Sequence, residues 1–324
     1  MNKTILLFTM LLFGVFLHSQ VTFVSETVIN DQQIKIVLNS PELSQTELHN
    51  SPEVTLYVVL PKDYHTSQKK YPVVYYLHGF SSMAAEIKNY ANQFNNSFTA
   101  EKSFIVVGVD GRNKYYGSFF VNSPVSGNYE DWLTRDAVGY IESRFRTLNK
   151  PESRGLLGLS MGGFGVLHNS LAHPDIFKVA YAVAPGVFAP ESGLQEAMIS
   201  WDNNLSFKRA YGSAFAGNYI VFPVFNSSSE DNELIKKWEG GFGGWEKRVD
   251  SYLKKNVKLQ ALAIEWGASD GYKWIPSGSE WLAGYLTSKG VSVQIEKTTL
   301  GHDMYPQRMN STIIPFFMKY LQFQ

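Results

Sequence analysis

Apolar and polar stretches alternate along this chain in the way that strands and helices alternate in α/β proteins. Early stretches that are β-branched or alternate between apolar and polar side chains predict strands at 34–38, 54–60, 73–77 and 104–109. Later apolar runs predict strands at 155–159, 179–183, 259–266 and 291–295. Helices are predicted at 130–145, before the first of these strands, and at 161–172, 281–286 and 313–321. This order predicts an α/β fold with a doubly wound, mostly parallel sheet whose first strands are antiparallel.

Between residues 187 and 257 the alternation gives way to polar sequence that contains Gly and Trp. We interpret this stretch as a cap-like insertion in a single domain that spans residues 20–324. The carboxyl edge of such a sheet is where ligands bind, so the insertion is expected to lie over that edge. Whether it forms a lid is left open.

The first residues have the pattern of a secretory signal peptide. A basic start that contains Lys3 precedes an apolar run over 5–17, and polar residues with Ser19 follow it. We predict a signal peptide over residues 1–19, and therefore export to the periplasm or the medium. An uncleaved anchor or a buried helix is the alternative, although the run is short for a membrane span of about 20 residues.

Composition narrows the classes of function. The chain has 324 residues, of which 44% are hydrophobic and 18% charged, as expected of a folded protein. Its 29 basic and 29 acidic residues argue against electrostatic binding to nucleic acid or to an anionic membrane. The absence of Cys from the sequence excludes disulfides, a thiolate nucleophile and zinc-thiolate sites. No His or carboxylate cluster has metal-ligand spacing, so neither a metal nor a cofactor is expected, and no segment after the signal is apolar enough to span a bilayer.

Gly158-Leu159-Ser160-Met161-Gly162 lies between a predicted strand and a predicted helix. The G-x-S-x-G pattern is typical of a sharp strand-to-helix turn that exposes a nucleophilic serine and needs small residues on either side. Ser160 is therefore the candidate nucleophile.

A serine nucleophile needs a base and an acid, which follow it along the chain in this arrangement. His302 comes after the last predicted strand and is the candidate base, whereas His168 and His173 lie on the helix behind the serine. Asp270 follows the preceding strand and is the preferred acid. Glu265, inside that strand, is the alternative, and Asp303 is interpreted as a local loop cap.

Acyl transfer also needs donors for the oxyanion of the tetrahedral intermediate. We assign them to the backbone N–H groups of Met161, after the nucleophile, and of Phe80, in the loop that follows the strand 73–77. Ser81 is a less favoured second donor. His78 is interpreted as a residue that orients this loop.

Aromatic residues near the predicted catalytic edge are candidates for substrate binding, although core packing is the commoner role of such residues. Trp238 and Trp245, with Phe242, would form a glycan-stacking surface on the insertion. The other candidates lie close to the ends of predicted strands and are Tyr115, Tyr116 and Trp266.

From about residue 54 onwards the chain resembles the esterase-D-like family of α/β-hydrolases. This family includes feruloyl and acetyl-xylan esterases, S-formylglutathione hydrolases, siderophore esterases and mycolyltransferases. The resemblance rests on segments in the same order as in that family: 71–79 (YPVVYYLHG), 109–112 (VDGR), 129–132 (YEDW), 158–163 (GLSMGG), 173–177 (HPDIF), 267–270 (GASD) and 301–303 (GHD). It implies the same nucleophile, acid and base, and oxyanion donors near Phe80 and Met161.

The main hypothesis is an exported serine carboxylic-ester hydrolase that works through an acyl-enzyme. Export favours acyl esters of carbohydrate, acetyl or feruloyl, over the cytosolic thioesters that some members of the family hydrolyse. An acyltransferase with the same triad is the alternative. A non-catalytic glycan-binding module is a third, and it predicts a broken triad, whereas all three positions are filled here.

Overall fold

The structure is a computed structural model, and it describes residues 21–190 and 193–324. The predicted signal peptide, 1–19, lies outside the described residues. None of the helices in the described ranges has the length and apolar character needed to cross a membrane.

Nine strands form one sheet, in the order β1-β2-β3-β5-β4-β8-β9-β10-β11. The pairs β1–β2, β2–β3 and β3–β5 are antiparallel, and all the others are parallel. This arrangement confirms the predicted α/β fold with antiparallel first strands. The strands are β1 Thr22–Asn30, β2 Gln33–Asn39, β3 Glu53–Val59, β4 Val73–Leu77, β5 Ile105–Val109, β8 Arg154–Leu159, β9 Val179–Val183, β10 Ala261–Gly267 and β11 Gln294–Thr298, while β6 Asn122–Ser123 and β7 Gly127–Asn128 form a separate ribbon.

Helical segments connect the parallel strands and cover the sheet. Every residue of β4, β5 and β9 is buried, which explains why these strands are continuous apolar runs: both of their faces are covered. The α-helices are Pro41–Ser44, Ala91–Ser97, Tyr129–Asp131, Val138–Arg144, Met161–Ala172, Gly193–Ser200, Leu205–Tyr211, Ser229–Glu239, Trp245–Leu253, Trp274–Ser288, Pro306–Arg308 and Ile314–Tyr320. Tighter or wider helical turns occupy Ala84–Tyr90, Trp132–Ala137, Pro151–Ser153, Gly212–Ala216 and Met309–Ile313.

Several element boundaries differ from those expected from the sequence. The helix expected at 281–286 begins at Trp274, and the strand expected at 291–295 begins at Gln294. The strand begins later than expected because the Val291 N–H still bonds to the Leu286 carbonyl at the end of the helix. The stretch 187–257 contains four helices of seven to eleven residues, which its polar sequence did not reveal.

The parallel strands β4, β8, β10 and β11 all end at one edge of the sheet. His78, Ser160 and Ala268 follow three of these ends directly, and the loop after β11 leads to His302. The candidate site is therefore assembled at this edge by the sheet itself.

Two helical glycines provide a matched test of the packing at this edge. A Cβ at Gly162, in the helix Met161–Ala172, would collide with the Leu77 carbonyl and lie 2.8 Å from the His78 oxygen. A Cβ at Gly284, in the helix Trp274–Ser288, would meet no atom within 4 Å. We expect Gly162→Ala to destabilise the fold by about 1–3 kcal/mol or more, and Gly284→Ala to stabilise it by up to about 1 kcal/mol. Urea unfolding of both variants checks this, and equal effects would contradict it.

Candidate active site

Ser160 occupies a strained turn between β8 and the helix Met161–Ala172. Its φ of 58° and ψ of −115° lie outside the regions that a side chain prefers. Three backbone hydrogen bonds hold the turn: the Ser160 N–H donates to Val183 O at 3.0 Å, and its carbonyl accepts from Phe164 at 2.9 Å and Gly186 at 3.0 Å. These hydrogen bonds to the surrounding backbone keep Ser160 in its strained conformation.

Gly158, the first residue of the G-x-S-x-G pattern, has no room for a side chain, as the pattern predicts. A Cβ at Gly158 would lie 2.5 Å from the Gly162 carbonyl oxygen and 2.9 Å from that of Leu77. Strand, turn and helix are too close here for any side chain on this strand position. This crowding fixes the direction in which the turn presents Ser160.

His302 and Asp270 are joined directly. His302 Nδ1 lies 2.7 Å from Asp270 Oδ2, and the Asp270 side chain is fully buried while that of His302 is 19% exposed. Asp270 Oδ1 accepts a hydrogen bond from the Tyr272 N–H at 2.8 Å. Both carboxylate oxygens are thus satisfied, and one of them fixes the orientation of the imidazole.

The two other acidic candidates make different contacts. Glu265 is buried, accepts from the Tyr181 hydroxyl at 2.5 Å and pairs with Arg308 at 3.0 Å, within the body of the sheet. Asp303 accepts from the Met304 N–H at 2.7 Å, as expected of a local cap. The geometry therefore favours Asp270 as the partner of His302.

Ser160 and His302 line one cavity of about 280 Å³, and Phe80 and Met161 line it as well. Met161 is the first residue of its helix, so its N–H has no partner within that helix. No acceptor for the Phe80 N–H occurs among the described residues. Both predicted oxyanion donors are accordingly available at the cavity.

His78 lies beneath the loop that contains Phe80 and connects it to a second loop. The side chain is fully buried, its Nδ1 lies 2.8 Å from Gly79 O, and its Nε2 accepts from the Gly111 N–H at 2.9 Å. His78 therefore links two loops, and neither ring nitrogen is left to act as a base.

No cluster of three or more His, Asp or Glu within residues 21–190 and 193–324 is arranged to hold a metal ion.

A model of the putative esterase family matches residues 50–199. The resemblance identified from the motifs is thereby confirmed.

Among curated proteins, this chain is similar to Esterase Rv1288 of Mycobacterium tuberculosis. The two are 29% identical over 257 residues, which cover 77% of this chain and 52% of Rv1288. The chain thus spans about half the length of this relative.

Solved structures share the fold. An S-formylglutathione hydrolase from Staphylococcus aureus superposes with a TM-score of 0.61 at 17% identity, over 94% of this chain and all of that one. A ferulic acid esterase from Anaeromyces mucronatus, in complex with ferulic acid, gives a TM-score of 0.58 at 18% identity, over 92% of this chain and 91% of that one. These neighbours support the α/β-hydrolase fold.

A half-buried ionic cluster anchors the helix that begins after Ser160. The Glu130 carboxylate lies 3.0 Å from His168 Nε2 and 2.6 Å from His173 Nε2, so one residue holds two positions on the helix and its end. Burial alone would raise the pKa of Glu130, but the hydrogen bonds and charges of the two histidines hold it well below its usual range. The pKa of His168 is lowered, chiefly by burial.

The expected glycan-stacking surface of Trp238 and Trp245 is wrong. Both side chains are fully buried: Trp238 stacks on Tyr211 with ring centroids 5.0 Å apart, and Trp245 Nε1 donates to the Phe242 carbonyl at 2.6 Å. These rings form the core of the insertion, so they have no free face to offer a sugar.

The three other expected substrate residues also lie outside the cavity lining. Trp266 is buried beneath the Lys297 ammonium, which is 5.5 Å from its ring centroid. Tyr115 packs against Tyr219 at 5.6 Å, and Tyr116 is 53% exposed. These residues were chosen because they lie near the ends of predicted strands, but none of the three lines the cavity.

Three of the six Phe, Tyr and Trp residues that line the cavity come from the insertion 187–257: Trp201, Phe207 and Phe242. Trp201 packs at 4.7 Å from Phe207 and 5.6 Å from Trp274, and Trp274 stacks on Phe242 at 5.8 Å. All four line the cavity and form a continuous aromatic wall. Of the four, only Phe242 was singled out from the sequence, because nothing in the local pattern distinguishes these rings from Trp238 and Trp245.

The ionic cluster at Glu130 leads to a pH-dependent prediction. We expect Glu130→Gln to lower the free energy of unfolding by about 1–3 kcal/mol at pH 7, since the neutral amide has one acceptor oxygen for the two half-buried imidazoles that the carboxylate holds. A carboxylate whose pKa is lowered in the folded protein stabilises the fold fully at a pH above its pKa in the unfolded chain, 4.5. This contribution is lost as the pH falls from there through the folded pKa. The deficit of Glu130→Gln, that is, its loss in free energy of unfolding relative to the unaltered protein, should therefore shrink below pH 4.5.

Urea unfolding between pH 3 and 8 measures this deficit. Glu53→Gln, at an exposed position on β3, is the matched control. A deficit that is constant over this range would contradict the assignment.

Proposed function

We propose that this protein is an exported serine carboxylic-ester hydrolase in which Ser160 is the nucleophile, His302 the base and Asp270 the acid. The observation that supports it most is the 2.7 Å contact between buried Asp270 and His302, at a cavity that Ser160 and His302 both line. Export rests on the pattern of residues 1–19.

In the first half of the reaction, Ser160 Oγ attacks the ester carbonyl carbon while its proton passes to His302 Nε2. The buried Asp270 carboxylate stabilises the imidazolium that forms, because it accepts from Nδ1–H. The tetrahedral intermediate collapses, the bond to the alcohol oxygen breaks, and His302 gives its proton to that oxygen. The alcohol leaves and Ser160 remains acylated.

In the second half, water replaces the alcohol. His302 removes a proton from water as the oxygen attacks the acyl carbon, and a second tetrahedral intermediate expels Ser160, which regains its proton from His302. The carboxylic acid is released. In both halves the N–H groups of Phe80 and Met161 are the donors for the oxyanion, a contribution of about 3–4 kcal/mol per donor in enzymes of this kind.

The aromatic wall favours an acyl group that is small or aryl. The cavity of about 280 Å³ lies at the lower end of ligand sites, and the four rings of the aromatic wall are part of its lining. Together with the ferulic acid esterases among the solved neighbours, this supports acetyl or feruloyl esters of carbohydrate as substrates.

Substitution of the acid tests the triad. We expect Asp270→Asn to lower kcat by about 10⁴-fold on a nitrophenyl acetate, because an amide in that place stabilises neither the required tautomer nor the imidazolium. Asp303→Asn is the matched control, since an amide oxygen can still accept from the Met304 N–H, and it should stay within a few-fold of the unaltered protein. Steady-state kinetics of both variants decide the point, and a similar loss in the two would reject Asp270.

The same machinery would transfer the acyl group to an alcohol if the alcohol entered in place of water. Turnover in the presence of a high concentration of glycerol separates the two activities by their products. We expect free acid as the main product. A glyceryl ester as the main product would make the protein an acyltransferase and leave the roles of the triad intact.

A further inference from the structure

The cavity beside Ser160 contains one carboxylate that the proposed mechanism does not use. Glu86 lines the cavity together with Ser81 and Ser82, so this part of the lining is polar. The aromatic wall comes from other segments of the chain. The cavity thus has two chemically different sides.

Glu86 is held in place by a buried tyrosine. The hydroxyl of Tyr76, which is fully buried on β4, donates to Glu86 Oε2 at 2.7 Å. Among the described residues, Glu86 Oε1 has no hydrogen-bond donor. A fixed carboxylate with one unused oxygen at a cavity is prepared to accept a hydrogen bond from a ligand.

Glu86 lies on the side of the cavity that belongs to His302. It is part of the helical turn Ala84–Tyr90, and the Tyr90 hydroxyl donates to the Met304 carbonyl at 2.7 Å, two residues after His302. The pKa of Tyr90 is raised by burial and then by the charges of Asp303 and Glu86, in agreement with this proximity. The turn that contains Glu86 and the loop that contains His302 are therefore in contact.

This position determines which part of the ester Glu86 meets. His302 must protonate the departing alcohol oxygen, so the alcohol part of the substrate has to lie beside His302. The acyl group then lies toward the rest of the lining. A hydroxyl carried by the alcohol close to the ester oxygen is the group best placed to donate to Glu86.

We propose that Glu86 recognises a hydroxyl of the alcohol part, so that the enzyme prefers esters of polyols to esters of simple alkanols with the same acyl group. This inference rests on the proposed ester hydrolysis. The neighbouring hydroxyls of Ser81 and Ser82 suit a neutral, hydroxyl-rich group better than a cation, because they can both donate and accept.

Three acetate esters test this proposal: glycerol monoacetate, ethyl acetate and acetylcholine. The unaltered protein should show a higher kcat/KM for the glycerol ester than for the ethyl ester, measured by acid release. In Glu86→Gln this ratio should fall about tenfold, the usual cost of weakening a hydrogen bond to a charged group. Tyr76→Phe releases the carboxylate without removing it, and the ratio should fall by less.

Glu233→Gln, which removes an exposed charge on the helix Ser229–Glu239, is the matched control and should keep the ratio. Thermal unfolding confirms that each variant is folded, and Tyr76→Phe serves as the test if Glu86→Gln does not fold. An unchanged ratio in both variants would overturn the proposal, and so would equal losses on the glycerol and ethyl esters. A preference for acetylcholine that disappears in Glu86→Gln would also overturn it, in favour of a cation site.

The same measurements distinguish a failure of the proposed function from a failure of the role proposed for Glu86. If the unaltered protein hydrolyses none of the three esters or nitrophenyl acetate, the proposed function itself fails. If it hydrolyses them without preferring the glycerol ester, only the role of Glu86 fails.

Discussion

Gly162 lies so close to the end of β4 that a single methyl group would occupy the place of the Leu77 carbonyl. The helix Met161–Ala172 can approach the sheet this closely only because that position has no side chain. This close approach fixes the sharp turn at Ser160. Backbone hydrogen bonds with Val183, Phe164 and Gly186 hold its strained conformation in place. Every other part of the site is arranged relative to this turn.

The remaining groups reach Ser160 because parallel strands end at a common edge. The loops after β4, β10 and β11 bring Phe80, Asp270 and His302 to the edge at which β8 ends. Buried polar contacts then fix these loops: His78 ties the first to Gly111, and Asp270 holds the ring of His302. The sheet supplies position, and the hydrogen bonds supply orientation.

The sequence was informative wherever a local pattern has one structural solution. The fully buried strands 73–77 and 179–183 were predicted to the residue because continuous apolar runs of that length fit a covered parallel sheet. The order of Ser160, Asp270 and His302 along the chain follows from the same topology, and the structure brings Asp270 to His302.

Prediction from sequence failed where long-range packing decides the outcome. The helices in 193–253 are short and have many charged residues, so their apolar faces were too narrow to recognise. For the same reason nothing local separated Trp201 and Trp274, which line the cavity, from Trp238 and Trp245, which fill the core of the insertion. Glu86 was missed because its proposed role depends on side-chain contact with Tyr76 and on the loop of His302, which is distant in sequence.

The central claim is that the strained turn presents Ser160 as a nucleophile, and covalent trapping tests it most directly. The purified protein is treated with a fluorophosphonate, digested, and the modified residue is located by tandem mass spectrometry. The account predicts one adduct, on Ser160, and no labelling of a folded Ser160→Ala variant. An adduct on another residue, or labelling that persists in that variant, would contradict it.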